Sequence, residues 1–442
     1  MQGEVLTREG RRALVAAFFG FFTDMIDVYL PVIALGPAMA YFEPKNLPSA
    51  ISSTLYYLIF ALSLLGRPIG SIIFGHFGDK IGRRKTTLIS VAGFGVSTFL
   101  IALLPGYKFW GLTGIVLLAA LRLIDGVFLG GEYTGANPLA MEYCPKQKRG
   151  PFGALINTGF PAGLAVVSII TAITLNIMPA TGPDSVYSIW GWRVPFLFGA
   201  VLSLILFYYY YHQVPESRVW EESTTKADSP LKDLFTGHNL RTLIQVFVMM
   251  TGAWFTINGV TSALPGVLNF LHVSNTVTTN AQLVANIALI LVYVPIGALG
   301  QKIGRRKVLI LLGISSFIVA PLLYYVLVHS GYHSAVSVFA LAILINLLVT
   351  PVWAIVTAYI TESFNTEVRA SGYGIGYSLA AIIPSFSSFY MLALKQVMPY
   401  QYTQIVILML GGLFMAIGAL AGPERKDVSF TDSSYSNNNI AN

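Results

Sequence analysis

Apolar blocks of about 20 or more residues, separated by short polar stretches, run along almost the whole chain. A helix that crosses a hydrocarbon core needs about 20 predominantly apolar residues. Twelve blocks qualify, at roughly 14–41, 51–75, 85–105, 109–143, 152–178, 192–212, 242–271, 279–300, 307–329, 335–361, 372–395 and 402–422. Several are longer than one crossing, so their ends are loosely defined. The pattern predicts an all-α membrane protein with twelve transmembrane helices.

The polar stretches repeat. "GHFGDKIGRRK" at 75–85 returns as "GALGQKIGRRK" at 297–307, 222 residues later. Glu142 and Glu362 are 220 apart, and each is followed seven residues on by an arginine, Arg149 and Arg369. The chain therefore divides into a six-helix bundle at 1–213, a charged linker at 214–241 and a second six-helix bundle at 242–422. A polar tail, 423–442, is expected to be disordered. Two pseudo-symmetric bundles mark secondary transporters, whose halves rock about a site near the midplane. A channel has no need of such symmetry within one chain. A primary pump would need a nucleotide site, and no G-x-x-x-x-G-K-[ST] stretch is present. The glycines of 75–82 lack the strand–helix unit of a phosphate cradle.

Composition narrows the class further. With 442 residues, a mean hydropathy of +0.67 and 11% charged residues, the chain has too little charge to cover a soluble body. The net charge of +7 would suggest nucleic acid until the cations are placed. With the N-terminus cytoplasmic, 21 of the 27 Lys and Arg fall on the cytoplasmic side; Lys45, Lys108, Arg193 and Lys395 fall outside, and Arg67 and Arg122 lie within spans. The positive-inside rule explains that split and predicts a cell-membrane protein with both termini cytoplasmic. No nucleic-acid partner is required. Arg8, Arg11 and Arg12 lead straight into the first span, without a cleavable signal pattern. The single cysteine, Cys144, excludes an internal disulfide, and no Cys/His cluster suggests a metal. No nucleophile–base constellation points to an enzyme, and a seven-span receptor would not explain the duplication.

Ionisable groups inside spans are costly and mark function by default. Asp24 and Asp27 lie in "FFTDMIDVYLP", with Asp24 about 16 Å into the first helix. Their spacing places both on one face, where the two carboxylates cannot both ionise cheaply, as befits a proton carrier. The fourth span carries Arg122, Asp125 and Glu132 in "RLIDGVFLGGEYTGANPLAMEY". Arg122 can hold a substrate carboxylate or neutralise an acid; the alternative is a pair that only locks spans one and four. Arg67, near the expected end of its span, can snorkel to the interface. The second half offers neutral stripes: Thr251, Trp254, Asn258 and Thr261 on span seven, and Asn346, Thr350, Trp353 and Thr357 on span ten.

These stretches carry a resemblance. "GRPIGSIIFGHFGDKIGRRK", "GGEYTGANPLAMEYCPKQKRG" and "WGWRVPF" resemble the metabolite:proton symporter family of the major facilitator superfamily, which includes proline/betaine, α-ketoglutarate, citrate and shikimate transporters. The resemblance implies the major facilitator fold and proton-coupled symport of a small organic acid, such as a monocarboxylate, or a zwitterion. No cofactor is implied beyond the proton. Asp24, Asp27 and Glu132 become coupling candidates, with Arg122 as their partner or the substrate's anchor. Tyr133, Asn137, Asn157, Trp254, Asn258 and Trp353 become candidate substrate contacts. A cytoplasmic gate is implied, in which Asp79 faces the start of span eleven near Ser371. Arg83 would pair with Glu142 and Arg149 in that gate, and Arg305 with Glu362 and Arg369. Gln301 replaces the aspartate in the second copy, so this lock is expected in one half only. The competing reading is a proton-independent facilitator or exporter of the same superfamily. The partners expected are a small-molecule substrate and the lipid bilayer, with the chain acting as a monomer.

Overall fold

The computed structural model describes residues 5–44, 47, 49–223 and 228–430. Lys45, Lys226 and the tail beyond 430 lie outside the described residues. Among the described residues twelve helices are long and apolar enough to cross a membrane: α1 (Arg8–Tyr41), α2 (Leu58–Ile81), α3 (Arg83–Ala102), α4 (Leu112–Tyr143), α5 (Lys146–Ile177), α6 (Tyr187–Gln213), α7 (Gly237–Phe270), α8 (Thr276–Ile303), α9 (Arg305–His329), α10 (Ala335–Ser363), α11 (Thr366–Leu394) and α12 (Tyr400–Ala421). Among the described residues there is no strand. The chain ends and the α2–α3, α4–α5, α8–α9 and α10–α11 turns share one side, called here the terminal face.

Helices overrun the apolar blocks on that face. The motif 75–85 is not a loop: α2 continues through Asp79 to Ile81. Gly82 alone makes the turn, with φ +112°, and Gly304 repeats it with the same angle before α9. Backbone hydrogen bonding extends a helix past the hydrocarbon edge, whereas hydropathy reports only the buried length. The left-handed backbone at these two positions suits glycine and strains other residues.

Within the first half, glycines bring α2 and α4 into backbone contact. A Cβ on Gly126 would lie 2.8 Å from Ser63 Cα, and one on Gly130 would lie 2.8 Å from Arg67 Cα. This small-residue packing sets the depth at which Arg67 enters the bundle. The two halves meet along two related seams, α2 against α11 and α5 against α8, with α5 also touching α10.

Replacing Gly130 with Ala is expected to lower the melting temperature of the purified protein, because overpacking of this kind costs about 1–3 kcal/mol. Gly266→Ala, where no atom lies within 4 Å of the added carbon, should leave it unchanged. A thermal-shift comparison of the two variants checks the contrast, and equal melting temperatures would contradict it.

Candidate functional site

The buried charges of the first half sort into two clusters. Asp24 pairs with Arg67 of α2, and both are at most 5% exposed. Asp27 pairs instead with Arg122 of α4 at 2.8 Å, and accepts from the Thr98 hydroxyl of α3. Arg122 also holds Asp125 at 2.8 Å. The two aspartates thus leave one helix face toward different arginines. Glu132 lies over Gly20 of α1, one turn before Asp24, and is fully buried. Among the described residues neither of its oxygens has a hydrogen-bond partner, and Asp24 Oδ2 and Asp125 Oδ1 lack one also.

Arg67 does not snorkel. The helix runs 14 residues past it to Ile81, so the guanidinium stays inside the bundle. Its second neighbour is the Tyr133 ring, 5.5 Å away.

A cavity between the halves takes Tyr29, Phe60, Arg67, Asn157 and Phe160 from the first half. From the second half it takes Trp254, Asn258, Thr261, Trp353 and Tyr377. The rings of Trp254 and Trp353 meet edge to face at 4.8 Å, and Tyr377 closes the group at 5.4 and 5.6 Å. Arg67 is therefore the cation of the cavity. Arg122, Tyr133 and Asn137, expected as substrate contacts, do not line it. Arg122 is enclosed by two carboxylates, Tyr133 turns toward Ser71 and Ser378, and Asn137 donates to the Tyr373 hydroxyl at 2.7 Å. Of the neutral stripes, Thr251, Asn346 and Thr350 also stay outside the cavity, and Thr357 bonds Asn157 instead.

At the terminal face the halves are locked together. Asp79 accepts from the backbone N–H groups of Ala370 at 2.9 Å and Ser371 at 2.8 Å, at the start of α11. A carboxylate there meets unpaired amides and the positive end of the helix dipole. Gln301 stands in the related place, accepting from Gly150 N at the start of α5 and from Arg305 at 3.0 Å each. The lock is thus present in both halves, charged in one and neutral in the other, since an amide oxygen also accepts from a helix start.

The ion pairs differ from the expected grouping. Glu142 is held by Arg83 of its own half and by Arg369 of the other. Glu362 is held by Arg305 of its own half at 2.9 Å and by Arg149 of the other at 3.5 Å. Arg149 and Arg369 have exchanged carboxylates relative to the repeat, because facing seams juxtapose opposite copies.

Two acids went unnoticed in the sequence. Glu216 accepts from Arg83 N and Arg84 N at 3.0 and 3.1 Å, and Glu424 does the same for Arg305 N and Arg306 N at the same distances. The signal was available: a Pro-Glu pair follows α6 and α12, 208 residues apart. The tail up to Phe430 packs against the terminal face, contrary to the disorder expected from its polar composition. Arg149 donates to Val428 O at 2.7 Å, and the Phe430 ring lies 3.5 Å from the Arg149 guanidinium and 4.1 Å from that of Arg369. Cys144 is buried beside Arg149, and burial pushes its thiol up to about 12.

Comparison with known proteins places this architecture. A family model described as Major Facilitator Superfamily matches residues 13–388. The chain is 33% identical over 384 residues to the inner membrane metabolite transport protein YhjE of Escherichia coli K12, covering 84% of each chain. It is 28% identical to the shikimate transporter of the same organism, covering 95% of this chain and 96% of that one. It is also 28% identical to the α-ketoglutarate permease of that organism, covering 88% and 89%. The solved structure of the proton:xylose symporter XylE bound to 6-bromo-6-deoxy-D-glucose superimposes with a TM-score of 0.72 at 18% identity, covering 95% of this chain and 97% of that one.

Removing either helix-start acceptor should loosen the terminal face. Asp79→Ala and Gln301→Ala are each expected to speed maleimide labelling of Cys144, Asp79→Ala the more, because a charged acceptor with two donors is stronger. A leftover buried N–H costs about 1–3 kcal/mol, enough for a change of roughly 5-fold or more. A silent Gln301→Ala would show that its bond to Gly150 does not hold the halves.

Proposed function

The chain belongs to the major facilitator superfamily, and from that premise we propose that it is a proton-coupled symporter of a small organic acid or zwitterion. The observation that carries this reading is the bond between Arg67, the cation of the cavity, and Asp24. A substrate carboxylate and the Asp24 carboxylate compete for one guanidinium. A proton on Asp24 releases Arg67 to the substrate, so the two ligands favour each other's binding. Four buried carboxylates, Asp24, Asp27, Asp125 and Glu132, face two buried arginines. An apolar interior does not hold two uncompensated anions, which supports protons making up the balance. The unpaired oxygens of Asp24 and Glu132 offer places for them.

The second half supplies shape. Three aromatic rings suit a flat or apolar body, and one cation among the described lining residues, released when Asp24 is protonated, suits a single carboxylate better than a tricarboxylate. The cation-rich terminal face supports a cytoplasmic placement of both termini. Cavity and gate are built from one chain, which supports a working monomer.

Proteoliposomes with an imposed inward proton gradient test the reading, with shikimate, α-ketoglutarate and L-proline as probes. Uphill accumulation of one of them, abolished by a protonophore, is expected. Accumulation insensitive to the protonophore would favour the proton-independent facilitator. Asp24→Asn should lose uphill uptake and keep counterflow, whereas retained uphill uptake would move coupling to Asp27 or Glu132. Arg67→Gln should weaken binding roughly 10- to 100-fold, the loss of a charge-assisted hydrogen bond.

A further inference from the structure

We propose that Asn157 reports occupation of the cavity to the closed terminal face, by giving up a hydrogen bond that ties the two halves. The inference rests on the transport reading and adds the residue through which loading permits opening. Asn157 lines the cavity and is 1% exposed. Its amide nitrogen donates to Gly153 O at 3.1 Å and to the Thr357 hydroxyl of α10 at 2.7 Å. Thr357 meets the Tyr373 hydroxyl of α11 at 3.2 Å, and Tyr373 accepts from Asn137 of α4 at 2.7 Å. The chain Asn157–Thr357–Tyr373–Asn137 therefore crosses from the first half to the second and back. All four side chains are at most 1% exposed, so water does not substitute for a lost partner.

Position gives this strut its meaning. Asn157 lies two turns along α5 from Gly150, whose N–H is held by Gln301. Tyr373 lies two residues past Ser371, whose N–H is held by Asp79. The strut thus sits between the cavity and both helix-start locks. Among the described residues lining the cavity, Asn157 alone has a side-chain hydrogen bond to the other half. The neighbouring ties across the halves, from Ser71 at 2.6 Å and from Tyr133 to the Ser378 hydroxyl, use residues outside the lining.

An anionic oxygen entering the cavity outcompetes a threonine hydroxyl for the Asn157 amide, because charge-assisted hydrogen bonds are about twice as strong as neutral ones. Thr357 then keeps only Tyr373, which Asn137 still holds, and the first half loses the Asn157 tie to α10. The empty protein stays closed and the loaded one is released. The ligand's preference for the released form is what shifts the two populations.

Thr357→Val tests the assignment, since it removes the acceptor while leaving the cavity lining intact. The readout is the rate at which N-ethylmaleimide labels Cys144 in purified protein, which is slow while the thiol is buried. Without added compound, Thr357→Val should label about 3- to 10-fold faster than the parent, the effect of one hydrogen bond. The parent should label faster when the transported probe, among shikimate, α-ketoglutarate and L-proline, is added. Thr357→Val should bind that probe about 3- to 10-fold more tightly, because no competing acceptor has to be displaced, yet show no further acceleration. Tyr373→Phe reads the same strut independently if Thr357→Val folds poorly.

Parent-like labelling of both variants without compound would overturn the proposal, and so would full ligand-driven acceleration in Thr357→Val. If none of the probes changes labelling of the parent or is transported, the substrate reading fails. The compound-free comparison still decides whether the strut holds the face.

Discussion

Two buried glutamates, each shared between an arginine of its own half and one of the other, hold this molecule in the form described. The side chains of Glu142 and Glu362 are at most 1% exposed, where a lone carboxylate would be prohibitive. Each therefore takes two guanidiniums, and the second must come across the seam. The partners on that side are presented by α5 and α11, whose first turns are fixed in turn by Gln301 and Asp79. Isolated surface pairs are worth about 0–1 kcal/mol, but a dry network with its helix ends capped is a different case. Everything above it, the cross-half strut and the cavity, is positioned by this closure.

The midplane uses the same chemistry for another end. Asp27, Arg122 and Asp125 form a compact group with Thr98 outside the lining of the cavity between the halves. One turn away, Arg67 stands at the cavity wall with Asp24 paired to it from behind. Close packing of α4 on α2 at Gly126 and Gly130 keeps the two groups apart while letting both arginines reach α1. One set of charges serves helix assembly, and the other is available to exchange partners.

Much of this was legible in the residues. The apolar period announced twelve crossings, and the 222-residue echo announced the doubling. Asp79 was expected near Ser371, where it stands. What escaped is instructive. Hydropathy placed Arg67 near a helix end because the apolar run stops at residue 75, whereas hydrogen bonding carries the helix to Ile81. A translational repeat says which residues are equivalent, but not that equivalents exchange partners across a seam. Polar composition also hid the ordered tail, since Val428 and Phe430 anchor eight residues that average as hydrophilic.

The exchange of partners has an electrical consequence. Parting the halves leaves Glu142 with Arg83 and Glu362 with Arg305, so neither glutamate is stranded, and Asp79 keeps Arg83 at 3.7 Å. Arg149 and Arg369 are released instead, two positive charges that also lose the Phe430 ring if the tail stays with one half. The open form is therefore the more cationic at its mouth. Its weight in the cycle then depends on the surrounding ionic atmosphere, with mobile anions and anionic headgroups favouring it and low salt favouring the sealed form.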